Sequence, residues 1–503
     1  MDETQIQIQP FVFPSLISLF LLWILKKLFP ESNGNKNPPP SPPKLPVIGN
    51  LHQVGYLPHQ NLGLLARKHG PMMLLHFGSV PVLVASSADA AREITRTHDL
   101  IFASRPLTKV TRKLSYDGRD VVFAPYGEYW RRAKSTVVLQ LLNSRRVQSF
   151  RSIREEETAL LVKNILECSG PVNLSKMFCE FTNDGICRAA FGRKFSESEN
   201  GKKFLAVVGE LGEVIGAVRV GEFVPWLSWI DRVSGFDKKV DRVAQEIDEF
   251  LDGIMRERLG NKEGFLKGKD GDNLLDILLG IYSDGRDEVS IDDRDSIKGL
   301  LLDVFAAGTD TTSILLEWAM TELFRHPTIM QNLQKEVREI VEDNSNIREY
   351  ELERMHYLKA VMKETLRYHP PVPLLVPRVA SKDVKIKGYD VVAGTVVMIN
   401  AWAIGRDLVS WDEPEKFKPE RFLNSSIDYK GLNFEFLPFG AGRRVCPGAA
   451  FAVATSELVL ATLVQKFNWK LPEPQGGNLD MRERPGITVR KDTPLIAVAS
   501  LSK

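Results

Sequence analysis

The chain runs without a single charge from Thr4 to Leu25, in TQIQIQPFVFPSLISLFLLWIL, about the length of one membrane-crossing helix. Asp2 and Glu3 stand before this run, and Lys26, Lys27 and Phe29 follow it. A cleaved signal peptide has the opposite arrangement, with positive charge first and small residues at its cleavage site. The pattern therefore predicts an uncleaved single-pass anchor over residues 1–29, with the lysine side and everything after it in the cytosol. Next, NPPPSPPKLPVIGN, from Asn37 to Asn50, places Pro38, Pro39, Pro40, Pro42, Pro43 and Pro46 close together. Proline at this density enforces extended backbone and cannot continue a helix, so residues 30–50 read as a stiff hinge that sets a globular body off from the bilayer.

From Leu51 onward the apolar positions recur mostly at helical spacing, with a few alternating, strand-like runs such as PMMLLHFG and PVLVASS. There is no internal repeat. The polar breaks GNKEGFLKGKDGDN and SDGRDEVS read as loops within one domain, residues 51–503. The longest helical pattern starts after Ser290, whose hydroxyl is placed to cap it with Asp293 three residues on, and stops at Pro327. Roughly 35 residues at about 1.5 Å per residue span about 50 Å, enough to cross the whole domain as a central, buried helix.

In the middle of that helix lies AAGTDTTS, Ala306 to Ser313, where glycine and threonine lower helix propensity and the hydroxyls compete for backbone carbonyls. The expected result is a widening or kink at Gly308. Such a groove leaves Asp310, Thr311 and Thr312 able to hold water beside a buried reacting group. Taken alone, the stretch equally fits a polar patch against a neighbouring helix. A second helix, ERMHYLKAVMKETLRYHP, carries Glu364 and Arg367 three apart and ends at Pro370 and Pro371. By itself such a pair is most often exposed and worth little. Arg421, in KFKPERF, is a possible third member.

Composition removes several classes. The 66 basic and 64 acidic residues leave a net charge of +2, which gives no reason to expect nucleic-acid binding. The cysteines, Cys168, Cys179, Cys187 and Cys446, form no CxxC or CxxCH, which removes zinc-ribbon, thioredoxin-like and c-type haem readings. In so long a chain all four read as reduced.

Cys446 stands apart because its surroundings are FGAGRRVCPG. Backbone amides freed by glycines, with Arg443 and Arg444, make a setting that favours a thiolate. Gly442 and Gly448 permit a tight loop and the close approach of a flat, bulky partner. One cysteine cannot hold zinc or an iron–sulfur cluster, but one thiolate suffices as the axial ligand of haem iron.

The stretch resembles the FxxGxRxCxG pattern of the cytochromes P-450 at Phe439, Gly442, Arg444, Cys446 and Gly448. AGTDTT is similar to that family's oxygen-activating helix, ETLR to its ExxR helix, and PERF to the segment that completes a Glu-Arg-Arg cluster. Details such as NDGICRAAFGRKF and HPPVPLLVPR resemble the plant A-type branch, which mostly oxidises small specialised metabolites.

The resemblance implies a mainly α fold with small β-sheets, a single large haem domain after the anchor. It implies haem b as cofactor, with Cys446 as proximal thiolate ligand of the iron, and O2 and NADPH-derived electrons as co-substrates. Asp310 and Thr311 become a distal proton-delivery pair. Glu364, Arg367 and Arg421 become a buried structural network. The propionates fall to Arg444, Arg378, Trp130, Lys134 and Arg105, with Lys134 a departure because the family's WxxxR ends here in lysine, which loses the forked geometry of arginine; Arg131 is the alternative. Substrate contacts are expected from TKVTRKLSYDGRDVVF, from Val304 to Ala307, from PVPLLV and near Ile487. Trp226 and Trp229 are expected either at the membrane surface or in the core.

No flavin or nicotinamide fingerprint is present, so electrons must come from another protein. The resemblance implies an NADPH-cytochrome P-450 reductase, docking on a basic face for which Arg131, Arg132, Arg145, Arg146 and Arg443 are candidates. The expected reaction is insertion of one oxygen atom into a small lipophilic substrate, at the cytosolic face of the endoplasmic reticulum membrane. The alternatives are a haem-thiolate isomerase or dehydratase, needing neither reductase nor O2, and a haem sensor or electron carrier, needing no substrate pocket.

Overall fold

The computed structural model describes residues 37–196, 198–217, 219–260, 273–284, 293–341, 346–472 and 479–502. The expected anchor, Ser290 and most of the two polar breaks lie outside these residues.

The helix expected at the centre spans Arg294–Arg325. Asp293 caps it, its carboxylate accepting from the Ser296 amide at 2.8 Å. Leu300, Leu301, Phe305, Leu315, Leu316, Ala319 and Leu323 are buried, so the helix is wrapped by others over most of its length. Its principal neighbour is the helix Leu174–Phe191, and His356–Tyr368 and Ala449–Lys466 pack on other sides. Arg294–Arg325 and Ala449–Lys466 are apolar enough to cross a membrane, but most of each is buried inside the protein, as core helices are.

Helical structure continues through Gly308, and the missing side chain there serves packing: a Cβ at Gly308 would lie 2.7 Å from Ile186 Cδ1 on the crossing helix.

The strand-like runs form the hairpin Met72–Phe77 and Val80–Ala85, the edge of a four-stranded sheet continued by Val396–Ile399 and Arg378–Val379. The hairpin's second strand pairs in parallel with Val396–Ile399, which is reached only after most of the helices have intervened. From Asn37 on, the proline-rich stretch does not stand off from the body. The Pro40 carbonyl accepts from the Leu74 amide of this sheet at 2.9 Å, and the Asn37 amide donates at 2.7 Å to Asp390, on the separate hairpin Val384–Ile386 and Tyr389–Val391. A second sheet joins Val172–Asn173, Ile496–Leu501 and Phe467–Lys470. The result is a mainly α body with small sheets.

Candidate active site

Cys446 sits between two tight turns and a helix. Gly440 and Gly442 take φ of 69° and 68°, and a Cβ at Gly442 would lie 2.2 Å from the Thr95 carbonyl oxygen, so only glycine fits there. The Cys446 amide donates to the Phe439 carbonyl at 3.0 Å, which fixes the loop across its base. The helix Ala449–Lys466 starts three residues later, and the Gly448 and Ala449 amides donate to the sulfur. Burial pushes the Cys446 thiol up, while these two amides and the nearby Lys134 charge draw it down. The residue nevertheless has an accessible surface. Dense surroundings together with accessibility mean that the thiol opens onto a space inside the protein rather than onto a bare surface.

Around the loop lies a group of buried cations. Arg444 donates to the carbonyls of Ala103 at 2.6 Å, Val121 at 3.0 Å and Ala124, with its guanidinium 4.2 Å from the Trp130 ring centre. Arg105 donates to Val122 at 3.1 Å, to Pro377 at 2.9 Å and to Val376. Arg378 donates to Ala441 at 2.7 Å and pairs with Asp99, which also binds Arg443. Trp130 is held through its indole N–H on the Val121 carbonyl at 3.0 Å. Burial, with Arg378 beside it, lowers Arg444 to about 9; burial, with Arg378 and Arg444, lowers Arg105 well below its usual range.

Lys134, on the helix Glu128–Thr136, donates to the carbonyl of Val445, the residue before the cysteine, at 2.8 Å. Burial first, then Arg444 and Arg105, lowers it to about 8, against the raising effect of the Cys446 sulfur. The lysine is thus committed to the cysteine loop, and its alternative, Arg131, is exposed.

On the central helix, Ala307 is exposed and Val304, Ala306, Gly308 and Thr311 around it are half-buried, which marks an accessible edge on an otherwise buried helix. Thr311 donates to the Ala307 carbonyl at 2.7 Å. Asp310 is turned elsewhere, accepting from Thr488 at 2.5 Å and paired with Arg490. Thr312 lies apart from both, lining a small apolar cavity with Gly308, Ile186 and Phe451. The predicted acid and alcohol are therefore neighbours in sequence whose side chains point to different partners.

Sequence reasoning missed the acids of this region. Asp120 accepts from the Phe123 and Ala124 amides at 3.0 and 2.7 Å, and Asp303 from Val121 and Val122 at 2.7 and 3.2 Å. Burial raises Asp120 to about 6 and holds Asp303, with the Asp120 charge beside it, well above the usual carboxylate range. Asp303 had a legible signal, a carboxylate amid LLDVF on a buried helix. Thr488 and Arg490 had none, since they reach Asp310 only through the tertiary fold.

The cytochrome P-450 family model matches residues 39–498. A cytochrome P-450 (71A8) of Mentha piperita is 56% identical over 491 residues, covering 97% of this chain and 95% of the relative. Norfluorocurarine oxidase of a Strychnos species is 47% identical, over 96% of this chain and 97% of its own. This chain is a cytochrome P-450. A zebra fish cytochrome P-450 solved with abiraterone superposes with a TM-score of 0.75 at 26% identity, covering 89% of this chain and all of that one. The plant relatives place this P-450 in the A-type branch, and the family makes it a haem-dependent monooxygenase that takes a small-molecule substrate and electrons from a redox partner.

The residues fit that cofactor. The hydrogen bonds of Arg105 and Arg444 end on backbone carbonyls, so their charges press on one another, and the nearby acids Asp120 and Asp303 are shifted toward their neutral forms. An anionic group bearing two carboxylates supplies the missing counter-charge. The Glu-Arg-Arg cluster of this P-450 is buried rather than exposed: Glu364 binds Arg367 at 2.7 and 2.8 Å and Arg421 at 3.1 Å. Trp226 and Trp229, 66% and 57% exposed, are not core residues.

Proposed function

We propose that this enzyme inserts one oxygen atom from O2 into a small lipophilic plant specialised metabolite, a terpenoid, alkaloid or phenolic compound. Its electrons come from NADPH through NADPH-cytochrome P-450 reductase. Its residues 1–29 anchor it in the endoplasmic reticulum membrane, with the catalytic domain on the cytosolic face. The observation that carries the reading is the Cys446 thiol, accessible within the protein interior and held by the Gly448 and Ala449 amides beside a cluster of buried guanidinium groups.

When bound, haem supplies the redox-active iron at which O2 is reduced. Cys446 is its thiolate ligand, and the two amides stabilise the negative sulfur. Arg444, Arg378 and Arg105 hold the propionates, with the Arg444 guanidinium placed over the Trp130 ring. Lys134 supports the cysteine loop through the Val445 carbonyl rather than through a propionate. Thr311 presents its hydroxyl from the accessible edge of the central helix, and Asp310 renews its proton. Glu364, Arg367 and Arg421 serve folding and haem retention, not chemistry. The exposed Trp226 and Trp229 rest at the membrane surface, where aromatic side chains are favoured.

Metabolite profiling of cells expressing the full chain with a reductase tests this reading. The expected result is a new product carrying one added oxygen atom and requiring both NADPH and O2. An identified substrate turned over equally well without O2 contradicts it and leaves the isomerase alternative. Thr311→Ala is expected to lower product formed per NADPH consumed while preserving haem content.

A further inference from the structure

The Asp310 carboxylate is docked against the C-terminal segment: Thr488 donates to one oxygen and Arg490 pairs with the other. This end of the carboxylate meets solvent, the side chains of Arg490 and Asp310 being 39% and 26% exposed. Around it lie Cys179, an accessible thiol on the helix Leu174–Phe191, with Glu180 beside it, and Glu317, two turns along the central helix. Glu317 is bonded by Ser175 and sits near Lys491. Together they form a polar rim between the central helix, the helix Leu174–Phe191 and the short strand Arg490–Lys491.

The segment carrying Thr488 and Arg490 is also fastened on the substrate side. The Val489 amide donates to the Pro371 carbonyl at 2.9 Å, at the first residue of the PVPLLV stretch. Gly486 and Ile487 press on Gly216, where a Cβ would lie 2.6 Å from the Ile487 nitrogen. One short segment thus links the walls expected to touch substrate with both partners of Asp310.

We propose that Thr488 and Arg490 are positioning residues that dock Asp310 at this rim, so that protons enter here and pass inward when the segment releases the carboxylate. The proposal rests on the proton-delivery reading of Asp310 and Thr311. The step moves protons only: one passes from solvent water to an Asp310 oxygen, then to the Thr311 oxygen as that hydroxyl gives up its own toward the reacting centre. Both side chains end as they began. Substrate lodged against Ile487 bears on the same segment, which ties pocket occupancy to proton entry.

The test uses the full-length enzyme with its reductase, comparing Arg490→Gln, Thr488→Val, Arg490→Lys and Asp310→Asn with the parent. Arg490→Gln and Thr488→Val are each expected to lower product per NADPH by about threefold and to change the solvent deuterium isotope effect on kcat, with substrate KM unchanged. Arg490→Lys restores most of the loss.

A second readout needs no turnover. Burial and the Asp310 charge raise the Cys179 thiol while Arg490 lowers it. Alkylation of Cys179, followed by mass spectrometry, is therefore expected to slow in Arg490→Gln and to quicken in Asp310→Asn. If Asp310→Asn uncouples the enzyme while Arg490→Gln and Thr488→Val behave as the parent, the positioning role is overturned and the pair stands. If Asp310→Asn and Thr311→Ala also leave coupling intact, the pair itself fails. Cys179 alkylation indifferent to both charges shows that the rim does not form in solution and removes the proposal.

Discussion

Glu364 shows how much one side chain can carry when it is wholly buried. Its oxygens receive Arg367, Arg421 and the Lys418 amide at 2.7 Å, and Arg367 in turn donates to the Pro414 and Lys416 carbonyls at 2.9 and 3.1 Å. Glu364→Gln keeps the shape but strands two guanidinium charges, so a loss of about 3–5 kcal/mol is expected in urea unfolding, with reduced haem content. Glu457 is the reverse case, a half-buried acid with no close ion pair among the described residues, raised to about 7 by desolvation against the weaker pull of Lys359 and Lys363. Its folded form holds the proton more tightly than the unfolded chain, so stability is greatest below the unfolded pKa and falls as pH rises toward 7. Glu457→Gln is expected to remove that loss, gaining on the order of 2 kcal/mol over the parent at pH 8 and almost nothing at pH 4. An equal effect at both pH values would show that Glu457 is not the titrating group.

The central helix was legible as an element, in length, position and stop at Pro327, because a long apolar run between a capping residue and a proline has few other outcomes. The role of Gly308 was not legible, since it depends on Ile186, which lies 122 residues earlier in the sequence. Gly308→Ala is expected to cost about 1–3 kcal/mol by overpacking, and Ile186→Val in the same chain to recover part of it. Additive losses would show that the two residues do not meet. The cysteine loop was legible for the opposite reason, because its function is concentrated in ten consecutive residues. There, Gly442→Ala forces a Cβ against the Thr95 carbonyl at a backbone angle unfavourable to it. Haem content is expected to collapse, and a normal content would count against this loop geometry.

At the scale of the whole molecule, long-range contacts decide what the sequence could not reveal. The proline-rich stretch read as a spacer, yet from Asn37 on it is bound to the folded body, because Leu74 and Asp390, on two different sheets, offer partners that proline density alone does not announce. Asp310 read as an acid holding water in a groove or facing a neighbouring helix, yet the chain's C-terminal segment holds it. Trp226 and Trp229 project outward together, and Trp226→Ser with Trp229→Ser is expected to weaken binding of the full chain to lipid vesicles in co-sedimentation without changing haem content. The proposed chemistry depends on one sulfur, that of Cys446. The ferrous carbonyl spectrum of Cys446→Ser, set beside that of the parent, tests it most directly: the account predicts that the absorption typical of thiolate-ligated haem, present in the parent, disappears together with turnover. An unchanged spectrum and unchanged turnover would contradict it.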